Sequence, residues 1–130
     1  MNMDQIPLIA ALRQRLNWLV ARENVLSQNI ANADTPHYAA RDVKEIDFSA
    51  LLDRVLDPAR TAAGHLGGIH ADGGITSRKD QTYEVAPSGN SVILEEQMTK
   101  LSTTQSRYDL LIGIYRKQLE MMRTAFGRGG

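Results

Sequence analysis

Cysteine is absent, aromatic residues make up only 5% of the 130-residue chain, and neither charge sign is in excess, with 15 Lys and Arg against 15 Asp and Glu. Without cysteine there is no disulfide, no thiol nucleophile and no thiolate-bound metal. The compartment stays open, because a cysteine-free chain suits oxidising and reducing surroundings equally. No end of the chain carries a block of one sign, so the broad attraction used by nucleic-acid and anionic-membrane binders is missing. Long apolar runs are missing too. Met1–Gln5 leads into an amphipathic segment broken by Arg13, Arg15, Arg22 and Glu23, which leaves neither a signal-peptide core nor a membrane span. Any export is expected to proceed without a cleaved signal.

What the chain does have is rhythm at its two ends. Ile9, Leu12, Leu16, Leu19, Glu23, Leu26, Ile30 and Ala33 follow one another at alternating spacings of three and four, the seam of a helix that packs on another helix. Met98, Leu101, Gln105, Tyr108, Ile112, Tyr115, Leu119, Met122 and Phe126 repeat the pattern without a slip. The expected architecture is mainly α. Two long terminal amphipathic helices, 6–33 and 92–126, pair as an antiparallel coiled-coil-like hairpin within one domain, 1–130. The variable middle segment, 34–91, holds a small helix and a short β-hairpin.

Pro7 suits a first helical turn, where its missing N–H has no helical partner. From there to Ala33 the helix would run roughly 40 Å. A second stripe, Ala11, Trp18 and Val25, lies beside the main seam. Either it faces neighbours beyond this chain, or Trp18 covers a third element of the same domain. Asn32–Tyr38 must turn, since Pro36 cannot continue a helix and pushes Thr35 out of the α region. Tyr38–Phe48 reads as extended or irregular, and Asp47 or Ser49 can cap a short helix carrying Leu51, Leu52, Val55 and Leu56, stopped by Pro58. Five glycines between Ala62 and Gly74 predict a flexible loop over 62–74. Strand-like pieces at Ile75 and Tyr83–Val85 suggest the hairpin, Pro87–Asn90 a break, and Asn90 or Ser91 the cap of a last helix starting near Val92.

Each seam holds one polar intruder. With Ala33 level with Met98, Leu26 lies opposite Gln105 and Glu23 opposite Tyr108. Glu23 then either accepts a hydrogen bond from Gln105 or the Tyr108 hydroxyl, fixing register, or extends to solvent.

No constellation supports catalysis. His65, His70 and Asp72 could form a weak metal site, but their glycine-rich surroundings give no spacing to aim ligands. Glu95 and Glu96 are helix neighbours that point apart and make no acid/base pair. HLGG and HADGG lack the strand-to-helix context of a phosphate loop. Neither a cofactor, a small-molecule substrate nor nucleic acid is expected. A helical adaptor or export chaperone would also be served by two amphipathic helices, but would give the Thr-Pro turn no role.

The string NIANADTPHYAARDV, Asn29 to Val43, resembles the N-terminal motif of the bacterial flagellar axial proteins, the rod, hook and hook-associated family. In that motif a long helix ends in Asn-Ile-Ala-Asn-Ala before a Thr-Pro-Gly-Tyr turn. Asn29, Ile30, Ala31, Asn32, Ala33, Thr35, Pro36 and Tyr38 match. Asp34, the short chain and the run GNSVILEEQM, Gly89 to Met98, point within the family to a proximal-rod member. Two positions depart from it. His37 stands where the family has glycine, so either His37 takes a left-handed conformation or the turn is of type I. Ile93 stands where the family tends to have a capping aspartate, which would move the cap back to Asn90 or Ser91.

The resemblance implies a non-enzymatic structural subunit of the flagellar basal-body rod, the periplasmic drive shaft that passes torque outward. It implies export through the flagellar type III apparatus, with partners that include copies of itself, other rod proteins, and MS-ring and adaptor proteins. On this reading Ile9, Leu12, Leu16, Trp18, Leu19, Leu26, Ile30, Leu101, Tyr108, Ile112, Tyr115, Leu119 and Met122 are packing and assembly residues. Asn29, Asn32, Asp34, Thr35, Pro36 and Tyr38 form the motif turn. The terminal helices are expected to gain order on assembly, because isolated amphipathic helices are marginal until their faces are buried.

Overall fold

A proline in the first turn starts the first helix. Ile6 takes the cap position with extended backbone and no side-chain cap, and its carbonyl accepts from the N–H of Ala10 at 3.0 Å. The computed structural model describes residues 6–56 and 85–127. In order these form α1 (Pro7–Ala31), β1 (Ala39–Val43), α2 (Phe48–Leu56), β2 (Val85–Ser91) and α3 (Leu94–Gly127). The two long helices pack against each other, so the mainly α architecture with a short middle segment is as the sequence predicts. The boundaries shift slightly. Helix α1 ends at Ala31 with Asn32 as its C-cap, and α3 starts two residues after Val92. No helix among the described residues is long and apolar enough to cross a membrane.

The core lies along α1. Ile9, Ala10, Ala11, Leu12, Leu16, Trp18, Leu19 and Leu26 are all buried, with Ala40 and Val43 of β1. Each fully buried Leu or Ile contributes roughly 1.5–3 kcal/mol relative to exposure. Trp18, Leu19 and Val43 form the centre of a cluster joined by Ala21, Val25, Ile46, Tyr108 and Leu111. Trp18 is therefore covered within its own chain. Of the two readings of the Ala11, Trp18, Val25 stripe, the one in which Trp18 covers another element of the same domain holds, and the stripe is not spare surface: Ala11 and Trp18 are buried, and Val25 is half-buried against the Trp18 cluster. The reason is that the chain after the turn folds back across α1, and the indole N–H donates to the Lys44 carbonyl at 2.8 Å.

On α3 the seam is rotated. Gln97 and Thr104 are buried, whereas Met98, Gln105 and Phe126 of the expected seam are exposed. The half-buried Leu101, Tyr108, Leu111 and Tyr115 complete a stripe with Gln97 and Thr104 at the same alternating spacing. The expected seam thus holds at Leu101, Tyr108, Ile112 and Tyr115 and falls one residue late at Met98 and Gln105. Thr104 hides its hydroxyl by donating to the Lys100 carbonyl at 2.7 Å, leaving a small methyl-bearing surface toward the core.

The strands pair antiparallel, Ala39 opposite Ser91 and Val43 opposite Val85, with a register shift between Ala39 and Arg41. This pairing replaces two expectations. The Pro87–Asn90 stretch is strand, not a break, because a two-stranded sheet has only edges and tolerates a proline that cannot donate. The hairpin partner near Ile75, the Tyr83 and Glu84 part of the other piece, Pro58 and the 62–74 loop lie outside the described residues. Helix α2 begins where Asp47 caps it, accepting from Ala50 N–H at 3.0 Å and from the Ser49 hydroxyl at 2.6 Å. At the start of α3 the cap does not move back to Asn90 or Ser91. Ile93 holds that place, its carbonyl accepting from Gln97 N–H at 3.0 Å. Isoleucine has no side-chain oxygen to cap with, and Glu95 and Glu96 in the first turn complement the helix dipole instead.

Candidate functional site

The motif turn is built from asparagine outward. Asn29 is fully buried at the last turn of α1. Its Nδ2 donates to the Arg41 carbonyl at 2.6 Å and to Gln97 Oε1 at 2.9 Å, and its Oδ1 accepts from Arg41 N–H at 3.0 Å and the Tyr38 hydroxyl at 3.2 Å. An asparagine amide has two donor hydrogens and two acceptor lone pairs, so Asn29 is saturated. It takes both backbone groups of Arg41, whose ladder partner Pro87 has no N–H to offer. One side chain thereby ties α1, the turn, β1 and α3 together.

Asn32 shapes the bend beyond the helix end. Its backbone N–H donates to the Gln28 carbonyl at 3.1 Å and its Nδ2 to the same carbonyl at 2.8 Å. Thr35 N–H then donates to the Asn32 carbonyl at 3.0 Å, with the Thr35 hydroxyl on Asn32 Oδ1 at 3.2 Å. A second turn is closed by Tyr38 N–H on the Thr35 carbonyl at 3.2 Å. Pro36 sits at its second position and His37 at its third, where His37 has φ of 62°. A positive φ there defines the type II pattern that favours glycine, so of the two conformations open to His37 it takes the left-handed one. Asp34 and Pro36 are exposed.

Trp18 carries the second anchor. The Arg15 guanidinium lies 4.3 Å from its ring centroid and that of Arg22 5.4 Å. Arg22 also forks onto Asp42, with Nε on Oδ1 and Nη2 on Oδ2, both at 3.0 Å. Sequence patterning does not single out either arginine, since both fall outside the apolar seam. Their signal is the i, i+3 and i, i+4 spacing around a tryptophan.

The remaining sequence-selected residues fall along the interhelical faces. Ile9, Leu12, Leu16, Leu19 and Leu26 are buried, while Ile30, Leu101, Tyr108, Ile112, Tyr115, Leu119 and Met122 are half-buried. Glu23 accepts from Gln105 Nε2 at 3.2 Å in an exposed setting, so of the two partners expected for it Gln105 is the one it meets. It is level with Gln105, not with Tyr108, so the expected register is out by about one helical turn. The buried polar pair that the pattern placed at Glu23 is instead Asn29 with Gln97, a residue the periodicity passes over in favour of Met98.

An open cleft at the start of α2 is lined by Arg15, Glu45, Ile46, Asp47, Phe48 and Ser49, which bring a guanidinium, two carboxylates and a hydroxyl together. Ser49 hydrogen-bonds Asp47, and with the Ala50 amide it holds the Asp47 carboxyl below its ordinary value, the behaviour of a helix cap. No group of three or more His, Asp or Glu placed to hold a metal occurs among the described residues. His65, His70 and Asp72 lie outside them.

Paired terminal helices joined through a saturated asparagine, with exposed apolar side chains along the longer helix, define a helical packing protein. No family model matches the chain. It is 33% identical to the flagellar basal body rod protein FlgB of Agrobacterium fabrum, over 93% of each chain. It is 32% identical to that of Salmonella typhimurium, over 92% of this chain and 95% of the other, and 29% identical to that of Bacillus subtilis, over 93% and 94%. The chain belongs to the FlgB family of flagellar basal body rod proteins.

Proposed function

We propose that this chain is a structural, non-catalytic subunit of the proximal part of the flagellar basal-body rod, assembling laterally through its terminal helices into the shaft that transmits motor torque. The observation that carries this reading is similarity along nearly the whole chain to proteins named for that rod. Its partners are further copies of itself, other rod proteins, and the MS-ring and adaptor proteins at the base. It reaches the periplasmic side through the flagellar type III export apparatus, unprocessed.

The surface of α3 supports lateral burial. Leu110, Ile114 and Met121 are exposed by 66%, 46% and 50%, and at about 100° per residue they fall within about 40° of one another around the helix. Three large apolar side chains aligned this way lose contact with water when a neighbouring subunit covers them. The packing role of Ile9, Leu12, Leu16, Trp18, Leu19, Leu26 and Ile30 is to hold the subunit's own fold, whereas the α3 stripe serves assembly.

Deleting the gene in the encoding bacterium should leave basal bodies without rods and cells without motility, with the unaltered gene restoring both. A Leu110→Asp, Ile114→Asp chain should fold as a subunit yet restore neither. Complete rods in the deletion strain would sink the rod reading. Full restoration by the double variant would sink assembly through this face of α3.

A further inference from the structure

We propose that the buried Asn29–Gln97 amide pair is a register lock: it selects which turn of α3 lies against the end of α1, a choice the apolar seams leave open. Aligning the seams by periodicity alone puts Ala33 level with Met98, Leu26 level with Gln105 and Glu23 level with Tyr108, and the other seam positions find apolar partners. The structure instead sets Asn29 against Gln97 and Glu23 against Gln105, with Trp18 near Tyr108 and Leu111. The two arrangements differ by about one turn, about 5.4 Å along the axis. Both bury leucine on leucine, so area alone cannot separate them.

The amides can. Asn29 is 0% exposed and Gln97 3%, and the second Nδ2 hydrogen of Asn29 has Gln97 Oε1 as its partner at 2.9 Å. In the slipped arrangement Asn29 faces the neighbourhood of Leu101, and Gln97 that of Ala33. Asn29, inside the interface, would lose Gln97 there, and a buried amide left short of a partner is strongly disfavoured. The other three bonds of Asn29 go to Arg41 and Tyr38 on its own side of the interface, so only the bond to Gln97 depends on where α3 sits. Rotating Gln97 inward also turns Met98 out by about 100°, which accounts for the one-residue offset of the α3 stripe.

The strand ladder does not make the choice by itself. A two-residue slip of β2 along β1 moves it about 6.6 Å and keeps every side chain on its face, close enough to one helical turn to follow α3. The ladder already contains one register shift, between Ala39 and Arg41. The exposed Glu23–Gln105 bond adds little, being formed in water.

The cysteine-free chain makes the test direct. The pair Glu23→Cys with Gln105→Cys reports the observed register. Glu23→Cys with Asp109→Cys reports the one-turn slip, because Asp109 lies one turn further on the same side of α3 as Gln105. In otherwise unaltered full-length chain equilibrated in a thiol–disulfide buffer, the first disulfide should form more readily than the second. Gln97→Leu should reduce that preference by about tenfold or more, the scale expected for loss of a buried amide's partner. Gln97→Met, closer in length to glutamine, should do the same, and far-UV circular dichroism identifies which variants keep their helices. An unchanged preference in whichever helical variant is measured would overturn the lock and assign register to apolar packing and the turn.

Discussion

His37 is the residue where this chain departs most visibly from the motif it carries. A left-handed φ costs an L-residue with a Cβ roughly 1–2 kcal/mol, part of which glycine gives back in unfolded-state entropy. His37→Gly should therefore raise stability by about 0.5–1 kcal/mol, read as a higher urea midpoint at unchanged slope. A fall in midpoint would mean that the imidazole makes a contact worth more than the strain. Asp47 gives a second residue-scale expectation. The Ser49 hydroxyl, and after it the Ala50 amide, favour the ionised carboxylate and hold it below its ordinary 3.8. A folded value lower than the unfolded one means the contribution is complete above the ordinary value and is lost as pH falls through the depressed one. Amide exchange in α2 should rise on acidification below about pH 4, while Asp47→Asn, which can still accept from Ala50, should remove that dependence.

Between elements, the joint is indole against strand. The Trp18 N–H satisfies the Lys44 carbonyl, two guanidinium groups cover the ring, and Val43, Tyr108 and Leu111 pack around it. Trp18→Phe should cost about 1–3 kcal/mol, for the lost indole hydrogen bond and the smaller ring. Trp18→Ala should cost about 3–5 kcal/mol. Thermal melts of the two variants check both the order and the gap. The long helices were legible because their apolar residues repeat over many turns, and the Asp47 cap because its chemistry is local. The sheet was not. Tyr38–Phe48 and Pro87–Asn90 carry no two-residue alternation, and β1 is held from outside the sheet, by Asn29 of α1 taking both backbone groups of Arg41. The α3 face was misplaced by one residue for a similar reason. Periodicity counts Met98 as apolar and Gln97 as polar, yet a glutamine whose oxygen meets a buried asparagine belongs inside.

For the whole molecule, the division of labour between its two long helices sets what substitutions do. Leu19 is buried in the subunit's own core, so Leu19→Asp should unfold the isolated chain. Leu110 is exposed, so a charge there should spare the subunit and remove its association. Sedimentation and circular dichroism distinguish the two outcomes. Helix α3 is nine residues longer than α1, and its Phe126 end is exposed. Helical signal should therefore rise with protein concentration, or on adding rod partners, as neighbours cover faces the subunit cannot cover alone. A signal independent of concentration, from a chain that never associates, would count against the rod subunit.

Trp18 is also the chain's single indole. Because its surroundings are contributed at once by α1, by the segment following β1 and by α3, its emission colour is a label-free readout of whether those three parts are together. Photons collected during polymerisation would then tell whether a subunit joins the growing filament already closed, or shuts around that ring only after it has docked.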